Sequence, residues 1–459
     1  MVKRGRITRD LFELAWPLAL QSLAYTLLGM VDRLMVGQLA EAAISGVGLG
    51  GQLMTAATTV AAAVAAAAGI LAAQARGAKQ EEMLRHILGT AVPLGLGLGA
   101  VIGGGLAWQA PALVGWLANG EAGATAAAVI YVRRVAWAAP VMLLTFAVTG
   151  FLRALGETRS SLVSALVAMV TNTGLNCLLI NGWWGFPAWG VAGAAIATAI
   201  AQVAGGGVAL WYLLGGAPAG ERFVWSDLVG WRAVVARQVL ALAGPIALDA
   251  LFWQAAALAY TRVIGLLGER ALAAWFIFSG IRGLGYVPLG ALGSAAAILA
   301  GAAIGAGRPR RATMVVRRAG GLAVMLAWLM DVGYLAAGLW YLPHFKVESE
   351  VAAQALLLIR GFTLILPVDA LIVILSQALR AGGDGLMVSA ITLGSFWLVG
   401  VPGAWLVGVQ LGLGLCGCLL GVGLECLVKA AGFGLRLRSG QWARRLVAGT
   451  RPSLAPGAD

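Results

Sequence analysis

Apolar residues in this chain come in long runs separated by short polar connections. A bilayer core needs roughly 20 apolar residues per helix. Runs of that length lie at about 12–36, 43–75, 86–108, 125–152, 160–182, 188–214, 238–264, 271–305, 316–341, 354–379, 386–408 and 411–435. The pattern predicts an all-α membrane protein of about twelve transmembrane helices. Several runs exceed the bilayer thickness and imply tilt or an overhang. The first run outlasts the hydrophobic region of a signal peptide and lacks an A-x-A site, so it is expected to remain as the first helix.

Composition agrees. Of 459 residues, 60% are hydrophobic and 11% charged, with a mean hydropathy of +0.88. A soluble chain carries about a quarter charged residues, so lipid must be the solvent for most of this one. The 66 glycines fit helices whose backbones approach closely. The net charge of +13 could suggest a nucleic-acid partner, but its placement argues otherwise. Lys3, Arg4, Arg6 and Arg9 precede the first run. Arg76, Lys79 and Arg85, Arg153 and Arg159, Arg222, Arg232 and Arg237, and Arg308, Arg310, Arg311, Arg317 and Arg318 follow the even-numbered runs. Arg436, Arg438, Arg444, Arg445 and Arg451 follow the last. The alternate connections are nearly bare, with Glu41, Glu121, Glu269, Arg270, Lys346, Glu348 and Glu350. Positively charged loops stay inside, so both termini are expected to be cytoplasmic, and the charge is a topology signal.

The chain also repeats itself. The segment LFELAWPLAL…VDRLMVGQLAEAAISGVGL can be laid on VLALAGPIAL…AYTRVIGLLGERALAAWFI with Pro17 on Pro245. The same offset of 228 residues pairs Gly37 with Gly265, Glu41 with Glu269, Ala43 with Ala271, and Gly77 with Gly305. An offset of 227 then pairs Arg133 with Arg360, Pro140 with Pro367, Arg153 with Arg380, Gly156 with Gly383, and Glu157 with Asp384. Six helices per repeat is an even number. Both halves therefore enter the membrane from the same side, as two six-helix bundles related by a pseudo-two-fold axis along the membrane normal. The expected division is a lobe at 1–214, a cytoplasmic connection at 215–237, a second lobe at 238–437 and a basic tail at 438–459. Two-lobed transporters of this kind place the substrate path between the lobes and work by rocking.

An acidic residue at the centre of a membrane helix costs about 2.5–3.5 kcal/mol, so each one needs a reason. Asp32, Asp249, Asp331 and Asp369 lie inside runs, as do Glu425 and Lys429. Glu425 and Lys429 stand four apart and read as an internal pair. Asp249 stands one turn after Pro245 and could satisfy backbone freed by the proline. Asp331 stands among leucines in the ninth run. Asp32 has Arg33 beside it as a local partner. The repeat counterparts of Asp32 and Asp369 are Tyr260 and Met142, so the halves share a scaffold but not their charges. Cys177, Cys416, Cys418 and Cys426 lie in apolar runs with no histidine nearby and read as small packing residues. Only His86 and His344 exist, and no metalloprotease or nucleophile motif occurs, so an enzyme is not expected.

The segments VDRLMVGQL, AAQARGAKQ, FLRALGETR and GFPAWGVAGAAIATAIAQ, with an N-x-x-x-N in the fifth run, resemble the multidrug and toxic compound extrusion (MATE) transporters. The second-half echoes IGLLGERALAA, AAIGAG and QALRAGGD resemble the same family, and the resemblance covers about 10–435. It implies a V-shaped twelve-helix fold that exports compounds in exchange for Na⁺ or H⁺ without a cofactor. Asp32 matches the family's first-helix carboxylate, tied to cation coupling, and Asn172 the first residue of the fifth-helix motif. Asn176 stands where the DinF-type branch usually has Asp, so this site has one carboxylate instead of two. Thr198 is a further oxygen ligand implied by the resemblance. Asp369, eleven residues before Arg380, resembles the tenth-helix carboxylate of the NorM-type branch, whose seventh-helix Glu falls on Trp253, with Asp249 one turn earlier. Features of the two branches are mixed.

The resulting expectation is a monomeric antiporter of the bacterial inner membrane, exporting organic cationic or amphipathic compounds. Asp32, Asn172, Asn176, Thr198 and Asp369 form the coupling set, with Asp249 as an additional candidate. Na⁺ at Asp32, Asn172 and Asn176 is the only metal expected. The alternative on the same fold is a flippase or exporter of a lipid-linked or anionic metabolite, for which Arg33, Arg262 and Arg282 would supply the positive charge.

Overall fold

The computed structural model describes residues 4–36, 41–117, 122–215, 223–341 and 349–446. Lys3, Glu121, Arg222, His344, Lys346, Glu348 and Arg451 lie outside the described residues, as do the side chains of Arg33, Glu41 and Glu269 and the tail beyond 446. Among the described residues every regular element is helical.

The first half begins with α1 (Arg4–Val36), α2 (Glu41–Gly77) and α3 (Glu81–Leu117). Next come α4 (Ala122–Val135), α5 (Ala139–Ala154), α6 (Arg159–Asn181) and α7 (Val191–Leu214). The second half has α8 (Ala233–Gly265), α9 (Glu269–Gly305), α10 (Pro309–Tyr341), α11 (Ser349–Phe362) and α12 (Leu366–Ala381). It continues with α13 (Gly385–Gly394), the single turn α14 (Val401–Gly403) and α15 (Gly414–Arg438). π-helical stretches at Ser395–Gly400 and Ala404–Gln410 flank α14, around Pro402. Among the described residues, eleven helical spans are long and apolar enough to cross a membrane, and α11 with α12 makes a twelfth.

That twelfth span, expected as a single run at 354–379, is in two parts bent by 59°. Pro367 sits at the start of α12, and a proline lacks the N–H that would carry the helix through. The repeat counterpart, Pro140, starts α5 after a 3₁₀ turn at Ala136–Ala138. A second shared device follows each of these helices. Gly156 and Gly383 both have φ of 79°, a left-handed conformation that glycine adopts without steric cost.

Two compact units emerge from the contacts. One holds Glu13–Gly69 and Glu82–Ala250; the other holds the chain through Phe12, Ile70–Glu81, and everything from Leu251 onward. In the first, α6 and α7 pack closely because Gly193 and Gly205 have no side chain. A Cβ at Gly193 would overlap the carbonyl of Leu179, and one at Gly205 would press on Ser164. Ser164 also donates a 2.7 Å bond to the Gly205 carbonyl. The connection leading into α8 folds onto α3. Arg85 reaches Asp227 at 2.5 Å, and Phe223 meets Phe151 edge-on at 5.4 Å.

In the second unit, α9, α10, α12 and α15 form the core of the bundle. The end of α2 joins it by a contact that obeys the repeat. A Cβ on Gly77 would overlap Ala302, and a Cβ on Gly305 would overlap Gln74. Ala302 is the counterpart of Gln74, and Gly305 that of Gly77. The contact is thus reciprocal, as at a two-fold axis. Basic residues collect at this end. Arg318 donates to Thr8 at 2.8 Å, and Arg308 and Arg311 line one recess with Ile7, Asp10 and Gly77.

Candidate functional site

In the first unit, three helices bring four of the expected residues together. Asn172 and Asn176 stand one turn apart on α6 and are both fully buried. The close approach of α7 at Gly193 and Gly205 places Thr198, midway between those glycines, opposite Asn172. Asn172 Nδ2 donates to Thr198 Oγ1 at 3.3 Å, and Thr198 donates to the Ala194 carbonyl at 3.0 Å. Asn176 Nδ2 donates to Asn172 Oδ1 at 2.9 Å and to Asp32 Oδ1 at 2.5 Å. Asp32, on α1, is only half-buried, so its carboxylate ends the chain of bonds where solvent can reach. Tyr131 of α4 lies buried beside Thr198 and within the field of Asp32.

The Oδ1 of Asn176 is buried with no hydrogen-bond partner. An orphaned amide oxygen of this kind costs about 1–3 kcal/mol. With the Asp32 carboxylate, the Asn172 carbonyl and Thr198, it makes an all-oxygen set of the kind hard cations take. No group of three or more His, Cys, Asp or Glu that could hold a metal occurs among the described residues.

Asp249, on α8 one turn after Pro245, is half-buried, and the chain from Asp32 to Ala194 does not pass through it. Asp331 on α10 is buried, with neither carboxylate oxygen hydrogen-bonded.

The second unit holds a different arrangement. Asp369 is buried on the first turn of α12 and carries a partner that its own run did not announce: Arg282 of α9, at 3.4 Å. Arg282 also donates to Tyr286, one turn on, at 2.6 Å, and Tyr286 in turn donates to Asp369. The guanidinium lies over the rings of Phe362 and Tyr286, at 4.8 and 5.2 Å from their centres. Tyr334 donates to the Arg282 carbonyl at 3.1 Å. Close by, Glu425 and Lys429 are ion-paired as their spacing predicts. Tyr260 donates to Glu425 at 3.4 Å, and Lys429 lies 3.7 Å from the centre of the Phe396 ring. Asp369 and Glu425 thus each have a cation of their own, Arg282 and Lys429. Arg282 and Tyr286 were legible only as a polar i, i+4 pair on an apolar helix, facing the requirement that a buried carboxylate find a counter-ion.

The family model MatE matches the chain twice, at residues 17–178 and 245–406, with the 228-residue offset of the internal repeat. The chain belongs to the MATE transporter family. Curated MATE relatives include a "Probable multidrug resistance protein NorM" of Thermotoga maritima, 24% identical over 96% of this chain and 94% of that protein. One of the same name from Bradyrhizobium diazoefficiens is 29% identical over 95% and 94%. Among solved structures, a crystal structure of MATE in complex with MaD3S superposes with a TM-score of 0.86 at 19% identity, covering 95% of this chain and 97% of that one. An outward-facing multidrug resistance MATE transporter of the MOP superfamily gives 0.83 at 20% identity, covering 95% and 96%. The twelve-span, two-bundle fold is that of MATE, and this protein is a multi-pass membrane transporter.

Proposed function

We propose that this MATE protein is an efflux antiporter that exports organic cationic or amphipathic compounds in exchange for Na⁺ or H⁺, with Asp32 as the coupling carboxylate. The observation that carries this reading is the pairing of Asp32 with Asn176 beside an orphaned amide oxygen. A carboxylate in a largely apolar surround takes up a cation to relieve its charge. The asparagine amides serve the bare anion by donating and the cation-loaded form by accepting. Proton, Na⁺ and cationic substrate then compete for one group, and competition couples their fluxes. The relatives named for multidrug resistance support this reading.

Asp369 has a lesser part. Arg282 already neutralises it, so it captures a cation only when that pair opens. The same pairing occupies Arg282 and counts against the anionic-metabolite alternative.

Asp32→Asn, expressed to wild-type level in a pump-deficient host, is expected to abolish drug efflux; wild-type efflux would remove Asp32 from the mechanism. Proteoliposomes under separate Na⁺ and proton gradients would identify the coupling ion.

A further inference from the structure

At the arginine-rich end of the second unit, a cavity of about 750 Å³ opens between α10, α12 and α15. Ligand-sized pockets run from about 300 to 1,000 Å³. Its walls are apolar: Val316 and Val324 from α10, Leu371 and Leu375 from α12, and Leu437 from α15. At its base α10 touches α12, where a Cβ on Gly320 would come within 3.0 Å of Leu371. The space exists because two helices present glycine to it. A Cβ built on Gly321 or Gly434 meets no atom within 4 Å. Arg317 and Arg438 line the same cavity, and both are exposed. Neither makes an ion pair among the described residues. The nearby acid, Asp384, is instead held by Arg436 at 2.6 Å and Arg444 at 3.7 Å.

The geometry points to this cavity as a binding site for one anionic phospholipid, its phosphodiester between Arg317 and Arg438 and an acyl chain along the glycine-floored slot. Charge complementarity selects the occupant. A soluble anion has no use for the apolar wall, and a zwitterionic lipid brings no net charge to two guanidiniums. Guanidinium binds phosphate through paired hydrogen bonds. Basic pockets between membrane helices recognise anionic head groups in this way.

The test is native mass spectrometry of the full-length protein in detergent, titrated separately with dioleoyl phosphatidylglycerol and dioleoyl phosphatidylethanolamine. One phosphatidylglycerol should bind in preference to phosphatidylethanolamine. Removing a basic residue near the membrane surface weakens anionic-lipid binding about fivefold, so Arg317→Gln with Arg438→Gln should lower phosphatidylglycerol affinity about 25-fold and leave phosphatidylethanolamine unchanged. Gly434→Leu grows into open space, so the protein should keep its melting temperature while losing the site for both lipids. Equal binding of the two lipids by the wild type, or retained phosphatidylglycerol preference in either variant, would overturn the proposal.

Discussion

The reciprocal contact between the ends of α2 and α9 makes a quantitative prediction. A methyl group on Gly77 meets the carbonyl oxygen, carbonyl carbon and Cα of Ala302, and one on Gly305 meets the same three atoms of Gln74. These are backbone atoms, so no rotamer change can relieve the overlap, and the two helices must part. Overpacking of this kind costs about 1–3 kcal/mol. The helix-propensity gain of Gly→Ala, about 0.8–1 kcal/mol in a helix interior, is smaller here because each glycine ends its helix. Gly77→Ala and Gly305→Ala should therefore each destabilise by about 1–2 kcal/mol. The two overlaps are relieved by the same movement. Once α2 and α9 have separated for the first methyl, the second finds room, and the double variant should cost less than the two single losses added together by about 1 kcal/mol. Unfolding in mixed micelles of rising SDS fraction, followed by tryptophan fluorescence, measures this. Gly290→Ala on α9 is the control, since its Cβ meets nothing within 4 Å. Single variants within about 0.5 kcal/mol of wild type, or a strictly additive pair, would refute the two-fold contact.

The buried polar groups supply three further tests. Asn176→Asp puts a second carboxylate within hydrogen-bond distance of Asp32, a repulsion that a bound cation relieves; its melting temperature should rise with Na⁺ more steeply than that of wild type. Arg282→Gln leaves Asp369 buried without its cation and should cost about 3–5 kcal/mol, read by the same SDS titration, whereas adding Asp369→Asn should recover a large part of the loss. Asp384→Asn releases Arg436 and Arg444, and hydrogen exchange should quicken at residues 441–446, which keep the bonds of Gln74 to Leu446 and the Arg444 carbonyl and that of the Arg444 N–H to the Gly382 carbonyl.

What could be read from the sequence divides by the range of the physics involved. Pro140 with Pro367 and Gly156 with Gly383 were visible as repeat pairs, which marked the positions where local geometry breaks a helix or turns the chain but not what happens there. The bend between α11 and α12 was missed because hydrophobicity runs straight through it. Asn172 and Asn176 lie one turn apart on one helix, so their shared face was foreseeable. Their bonds to Asp32 and Thr198 cross 144 and 26 residues, and only the family resemblance linked them in advance. Nothing near Asp369 in the chain points to Arg282, 87 residues earlier.

The same division bears on where coupling can reside. The features common to both halves are backbone features: prolines that bend, glycines that turn, and the reciprocal glycine contact. They constrain how helices move and leave the choice of ion open. The side chains that can hold a cation differ between the halves, because a Tyr and a Met occupy the positions equivalent to Asp32 and Asp369. Those two carboxylates differ again in their partners. Asp369 faces a guanidinium and a phenol, which already supply positive charge and a hydrogen bond. Asp32 faces a neutral amide, that of Asn176. A cation arriving at Asp369 must displace Arg282 before gaining anything, whereas one arriving at Asp32 meets an amide that can accept it by turning its oxygen. That difference in what must first be broken is why we propose the half that contains Asn176 for the coupling ion.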